Sequence, residues 1–216
     1  MALIKTNARS ASALDATILT GNLPAISGAS LTGVDSGSLA KLLTTDVSGS
    51  TASVSFNSTY ITSTYRDYLV VISDMHHTTG GGANLQIQIS DNNGSSYKSA
   101  SSYRSVSRGK RNDGTVVNSD VDDGSYIKIF PANISGNESE EKSSIILNIF
   151  DPLSTSSYFT CSWSGQCFTT TGNQVASVYG AGGFRADVSS AINNIKIYPS
   201  TGNLNHGRFT LYGRTS

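Results

Sequence analysis

Aromatic residues are missing from the first 55 positions: all 18, seven Phe, ten Tyr and one Trp, stand at or beyond Phe56. That stretch is mostly Ala, Ser, Thr and Gly with single aliphatics such as Leu19, Leu23, Ile26 and Leu31. It has little large apolar surface to offset the entropy of ordering, which excludes a segment that folds alone. Charge is scarce as well. Charged residues make up 14% of the chain, and 15 basic residues balance 15 acidic ones. A net charge of zero excludes a global field that draws in nucleic acid or an acidic membrane. Two cysteines, Cys161 and Cys167, are too few for a disulfide framework or a zinc site. No apolar run approaches transmembrane length, so membrane insertion is not expected. The opening Met-Ala-Leu-Ile-Lys-Thr-Asn lacks the long apolar region of a cleaved secretion signal.

What is present divides into an arm, residues 1–50, and a domain, residues 51–216. In the arm, Leu19-Thr20-Gly21 recurs as Leu31-Thr32-Gly33. Pro24 and the glycines between them prevent a continuous helix, and the aliphatics are spaced too widely for a core of their own. Several copies wrapping together would bury what one cannot; a flexible linker is the plainer alternative. Leu39, Leu42 and Leu43 stand at helical spacing with Ser36 or Ser38 as a cap, which predicts one short helix over Ser36–Thr45.

From residue 51 the hydrophobic period becomes two. Ala52, Val54 and Phe56 alternate with hydroxyl residues, and Leu85, Ile87 and Ile89 alternate with Gln86, Gln88 and Ser90. Asp91-Asn92-Asn93-Gly94 supplies turn chemistry, since Asn-Gly readily takes positive φ. Further strands are expected at Tyr68–Ser73, Ser125–Phe130, Ser144–Phe150, Phe159–Trp163, Gln174–Tyr179, Asn193–Tyr198 and Arg208–Tyr212. The near-continuous apolar runs Asp67–Met75 and Ser144–Phe150 predict strands that are central or covered on both faces. Short strands and polar turns without alternating helices indicate an all-β domain, a β-sandwich of jelly-roll type behind an extended N-terminal arm. A basic stretch from Lys98 to Arg111 precedes Asp113, Asp120, Asp122 and Asp123. These read as a solvated hairpin of mixed charge, with pairing inside one subunit or across an interface as the alternatives.

The residues that carry chemistry are thinly spread. His76 and His77 are adjacent, so in a strand they face opposite ways and do not share a metal; nothing in its spacing ties His206 to either. No Gly-x-Ser-x-Gly elbow surrounds Ser164, and no local feature activates Cys167. Asp91-Asn92-Asn93-Gly94 lacks the full ligand spacing of a calcium loop, and Gly80-Gly81-Gly82 has no following helix or Lys to cradle phosphate. No catalytic, cofactor-binding or metal-ligating set is therefore expected, and no enzyme. Binding is the easier function to defend. Trp163, with Tyr158, Phe159 and Phe168 nearby, offers an aromatic face that stacks on sugar rings, although Phe159, Cys161 and Trp163 also fit as core residues on one strand face. The loops around His76–Ala83, Gly109–Gly124 and Thr169–Asn173 are the tips expected to vary and bind. His76, His77 and Trp163 are the candidate surface-recognition residues.

Two stretches carry a resemblance. Leu23-Pro24-Ala25-Ile26-Ser27-Gly28-Ala29-Ser30-Leu31-Thr32-Gly33-Val34 resembles the connector motif of bacteriophage fibre and fibre-like proteins. The ending, from Ile195-Lys196-Ile197-Tyr198 through Gly202-Asn203-Leu204 to Gly207-Arg208-Phe209-Thr210-Leu211-Tyr212-Gly213, resembles the terminal strands of small phage virion domains. The resemblance implies a virion protein, usually a homotrimer, that docks to another virion protein through its N-terminus and turns a β-domain outward, where a host surface glycan is a partner. It places Leu19, Leu23, Pro24, Ile26, Leu31 and Val34 in the anchor. A short tail fibre, a head fibre and a capsid decoration protein that stabilises the head without recognising a receptor all share these features.

Overall fold

The computed structural model describes residues 39–78, 83–99, 101–130, 139–168 and 174–214. The anchor residues Leu19, Leu23, Pro24, Ile26, Leu31 and Val34, the Gly80–Gly82 run and the loop Thr169–Asn173 lie outside them. The described chain is all β. Its strands are β1 (Leu39–Thr51), β2 (Val54–Phe56), β3 (Asp67–His77), β4 (Leu85–Ser90), β5 (Tyr103–Arg111) and β6 (Val116–Gly124), followed by β7 (Ile127–Lys128), β8 (Ser143–Phe150), β9 (Phe159–Phe168), β10 (Val175–Phe184), β11 (Asn194–Pro199) and β12 (Leu204–Arg214). An eight-stranded sheet runs β1-β12-β3-β8-β9-β10-β5-β6, and a four-stranded sheet runs β2-β11-β4-β7. Every pairing is antiparallel. The chain crosses repeatedly between the sheets, so that the small sheet lies on one face of the large one as a sandwich.

The alternating apolar residues explain this stacking. Ile87, Ile89, Ile195 and Ile197 of the small sheet join Val70, Leu147, Trp163 and Phe209 of the large sheet in one continuous core. Two polar side chains trapped there find partners across the sandwich. The Tyr103 hydroxyl donates to the Lys98 carbonyl at 2.9 Å and accepts from the Ile89 N–H at 3.1 Å. Ser107 Oγ donates to the Ile129 carbonyl at 2.7 Å. Each bond satisfies a group whose burial would otherwise cost about 1–3 kcal/mol. Gly180 makes room for the one tryptophan, since a Cβ there would sit 2.4 Å from the indole of Trp163. Cys161 and Cys167 are both free and buried, with burial pushing each thiol up to about 12. Cys161 shares the inner face with Phe159 and Trp163, as the alternation predicts.

Residues 39–45 of the expected Ser36–Thr45 helix lie in strand β1, pairing with β12 from Leu39↔Arg214 onward. A register shift between Lys41 and Leu43 accounts for the helical look of the leucines. A bulge inserts one residue and restarts the two-residue alternation, so that Leu42 and Leu43 both pack against the core. The open edge of β12 outweighs the weak local preference for helix. The same strand moves the domain boundary. Residues 39–50, assigned above to the arm, belong to the β-body, where Val47 is 3% exposed.

Turn chemistry is as expected at Asn93 and Gly94, with φ of 59° and 86°. Asp74 also takes positive φ, at 55°, where the register of β3 shifts against both β12 and β8. The Gly109–Gly124 segment is mostly strand: β5 and β6 form a hairpin with its turn at residues 112–115. Its charges pair within the chain. Arg108 grips Asp120 through two nitrogens, Arg104 reaches Asp122 at 2.8 Å, and Asp123 is shared by Arg104 at 3.2 Å and Arg185 at 3.1 Å. The carboxyls of Asp120 and Asp123 are accordingly held below the usual carboxylate range by hydrogen bonds from Arg108 and Arg185.

Candidate functional site

Strands β3 and β8 are central, as their apolar runs predict, but among the described residues they are covered on one face only. The outer face of the large sheet is open, and Ile146 and Phe150 stand on it 48% and 39% exposed. Cross-strand registers align the outward residues in rows. One row runs Val106, Ala181, Ser162, Asn148, Leu69, Tyr212; the next runs Tyr179, Ser164, Ile146, Val71, Thr210. The sheet is hollowed where small residues meet. Gly183, Ala181, Thr160 and Ser162 floor a depression of about 520 Å³, walled by Phe150, Val106 and the Arg104–Asp122 pair. Glycine is required at its base, because a Cβ on Gly183 would lie 2.7 Å from the Phe159 carbonyl oxygen of the neighbouring strand. A smaller apolar depression of about 350 Å³ lies over Val71, Ile146 and Ser164 on the same face. The chemistry of this face is contact: aliphatic and aromatic ridges, hydroxyl floors and charges confined to its margins, several of them paired.

The histidines lie at one end of the large sheet. His76 and His77 belong to β3, pairing with His206 and Leu204 of β12. His76 is 6% exposed and His77 is 0% exposed, so both are corrected from surface-recognition residues to buried ones. The strand runs past the Asp74 bulge, where His77 pairs with the core residue Leu204 and His76 pairs with His206, whose ring covers it. His206, exposed, stacks on His76 with ring centroids 5.6 Å apart at 20°, and Asn205 Nδ2 lies 3.1 Å from His76 Nε2. Burial, with the neighbouring His76 charge second, holds His77 down to about 4. Trp163 is likewise corrected: it is 3% exposed, packed inward over Gly180, and its ring is not available to a sugar.

Among the described residues, no group of three or more His, Cys, Asp or Glu is arranged to hold a metal ion. The sequence pattern brings Phe159, Cys161 and Trp163 together as core residues and misses the residues of the open face. A signal for them was present: the near-continuous apolar run of β8, whose Ile146 and Phe150 have no covering layer among the described residues. Comparisons with protein families, curated proteins and solved structures find no match for this chain.

Proposed function

We propose that this chain is a bacteriophage virion structural protein of the fibre type, anchored by its N-terminal arm, with the β-sandwich turned outward for host-surface binding. The observation that carries the reading is the abrupt contrast at the arm: an aromatic-free segment bearing the Leu23–Val34 connector-like motif, followed by an aromatic-rich β-body. An arm that lacks a core of its own gains one only on a partner, here another virion protein, and an oligomer brings several such arms to it. A sandwich with hydroxyl-rich outward faces supplies the rigid body such a fibre presents. Recognition of a host glycan does not run through His76, His77 or Trp163, which are buried.

The test is to place a bulky tag after Ser216 and image intact particles by electron microscopy. Label at the tail is the expected result and justifies a competition assay, in which soluble protein blocks infection. Label spread over the head replaces host attachment with capsid decoration. Particles without label overturn the virion reading.

A further inference from the structure

We propose that the outer face of the eight-stranded sheet is an interface, and that its occupant is a second copy of this chain. The exposed large apolar residues of the described chain are concentrated there. Apart from Tyr158 and Val188, which lie outside the strands, all of them point outward from this one sheet. Exposed large apolar residues gathered on one face, here interleaved with Ser, Thr and Asn, mark a surface that a partner covers.

Charge gives the face the anatomy of a protein contact. Strands β8, β9 and β10 contain no charged residue at all. Charges flank this centre: Arg104, Arg108, Lys110, Asp120 and Asp122 on β5 and β6, and Lys41, Asp46, Arg208 and Arg214 on β1 and β12, with Asp67 and Asp74 near the two ends of β3. A charge-free centre with aromatic ridges and a charged rim is what distinguishes interface cores from ordinary surface. A glycan site needs no such breadth of charge depletion.

The rim also points to self-association. Each side carries both signs, joined as Arg104–Asp122 and Arg108–Asp120 on one and as Arg208–Asp46, at 2.7 Å, on the other, with Lys110 and Lys41 as additional cations. Two copies of the same face therefore meet without a net like-charge clash, the usual obstacle to pairing identical surfaces. Size agrees. Eight strands at the usual spacing and the length of β8 give a face of roughly 900 Å², against about 800 Å² per partner in a standard interface. Shape agrees too, since Ile146 and Tyr179 stand as ridges beside the hollow over Gly183 that such a ridge fills.

This goes beyond the fibre reading, which assigns the arm to the particle and does not place the contact between copies, and its test does not depend on a particle. The full-length chain is measured by sedimentation over a range of concentrations, beside Ile146→Asp, Phe150→Asp and Val188→Asp. The wild type is expected at a multiple of 22.7 kDa. The two face variants are expected to dissociate, each weakening association by roughly 30-fold or more, as for a central interface residue. Val188→Asp, exposed and off the face, is expected to leave the mass unchanged. Ile146→Ser repeats the test with a residue that an open strand position accepts, and Trp163 emission reports that each variant is folded. A wild type at single-chain mass throughout, or face variants that assemble as tightly as the wild type, overturns the proposal.

Discussion

His77 is buried with both ring nitrogens lacking a hydrogen-bond partner among the described residues. Its folded environment therefore favours the neutral ring, and burial holds its pKa near 4 instead of the ordinary 6.5. As pH falls through 6.5 the unfolded chain takes up this proton while the folded chain does not. Stability thus declines between 6.5 and about 4 and levels off below, with a total loss of about 3 kcal/mol. The carboxylates held low by arginine, Asp46, Asp120 and Asp123, act in the same direction but only lower, as pH drops through their ordinary value of 3.8. The two effects are separated by pH. His77→Leu leaves no titrating ring and no unpaired nitrogen, so it should match the wild type in urea unfolding at pH 7.5 and exceed it at pH 5. Equal loss of stability in both proteins between pH 6.5 and 4.5 would assign the acid sensitivity to another group.

Strand β1 shows what an edge element contributes. It pairs along β12 from Leu39↔Arg214 to Thr51↔Leu204 and buries Val47. Removing residues 1–50 deletes nearly all of it and leaves the β12 edge bare. The lost burial of Val47 and of parts of Leu42 and Leu43 costs about 3 kcal/mol, a drop of roughly 10 °C in melting temperature. An unpaired edge of that length also invites aggregation. Removal of residues 1–38 spares the strand and should leave the melting temperature within a few degrees of the full chain. Indistinguishable melts for the two truncations would show that β1 adds nothing to the body. Sequence legibility divides along the same line. β4 and its turn are readable because three isoleucine or leucine positions alternate cleanly and Asn93-Gly94 takes the φ that its chemistry favours. β1 is not, because one bulge converts a two-residue period into a helix-like 3–4 spacing. The histidines escape for a different reason: alternation says which way neighbours face but not what covers them, and His77 packs beside Leu204 while His76 is covered by the ring of His206. The open face was half legible, since an apolar run marks a strand for covering without saying whether the cover comes from the same chain.

At the scale of the whole molecule, the two proposals assign different tasks to different parts of the chain. The arm carries the connector-like motif and joins the particle; the outer sheet face joins copies to one another. If that division holds, the tasks separate by mutation. A chain without residues 1–38 keeps Ile146 and Phe150 on an intact sheet, so it should sediment as the same multimer yet fail to incorporate into particles. Phe150→Asp keeps the arm but breaks the contact between copies. It should therefore be monomeric in solution and reach the particle only weakly, because a single arm engages where several linked arms would act together. Avidity of that kind multiplies affinity by about 10²–10⁴ without any new contact. The informative comparison is incorporation of Phe150→Asp measured against the truncated chain by quantitative immunoblotting of purified particles. Residual incorporation above that of the truncated chain is expected if anchoring resides in the arm. Incorporation of the truncated chain at the level of the wild type would move the anchor out of residues 1–38 and into the β-body itself.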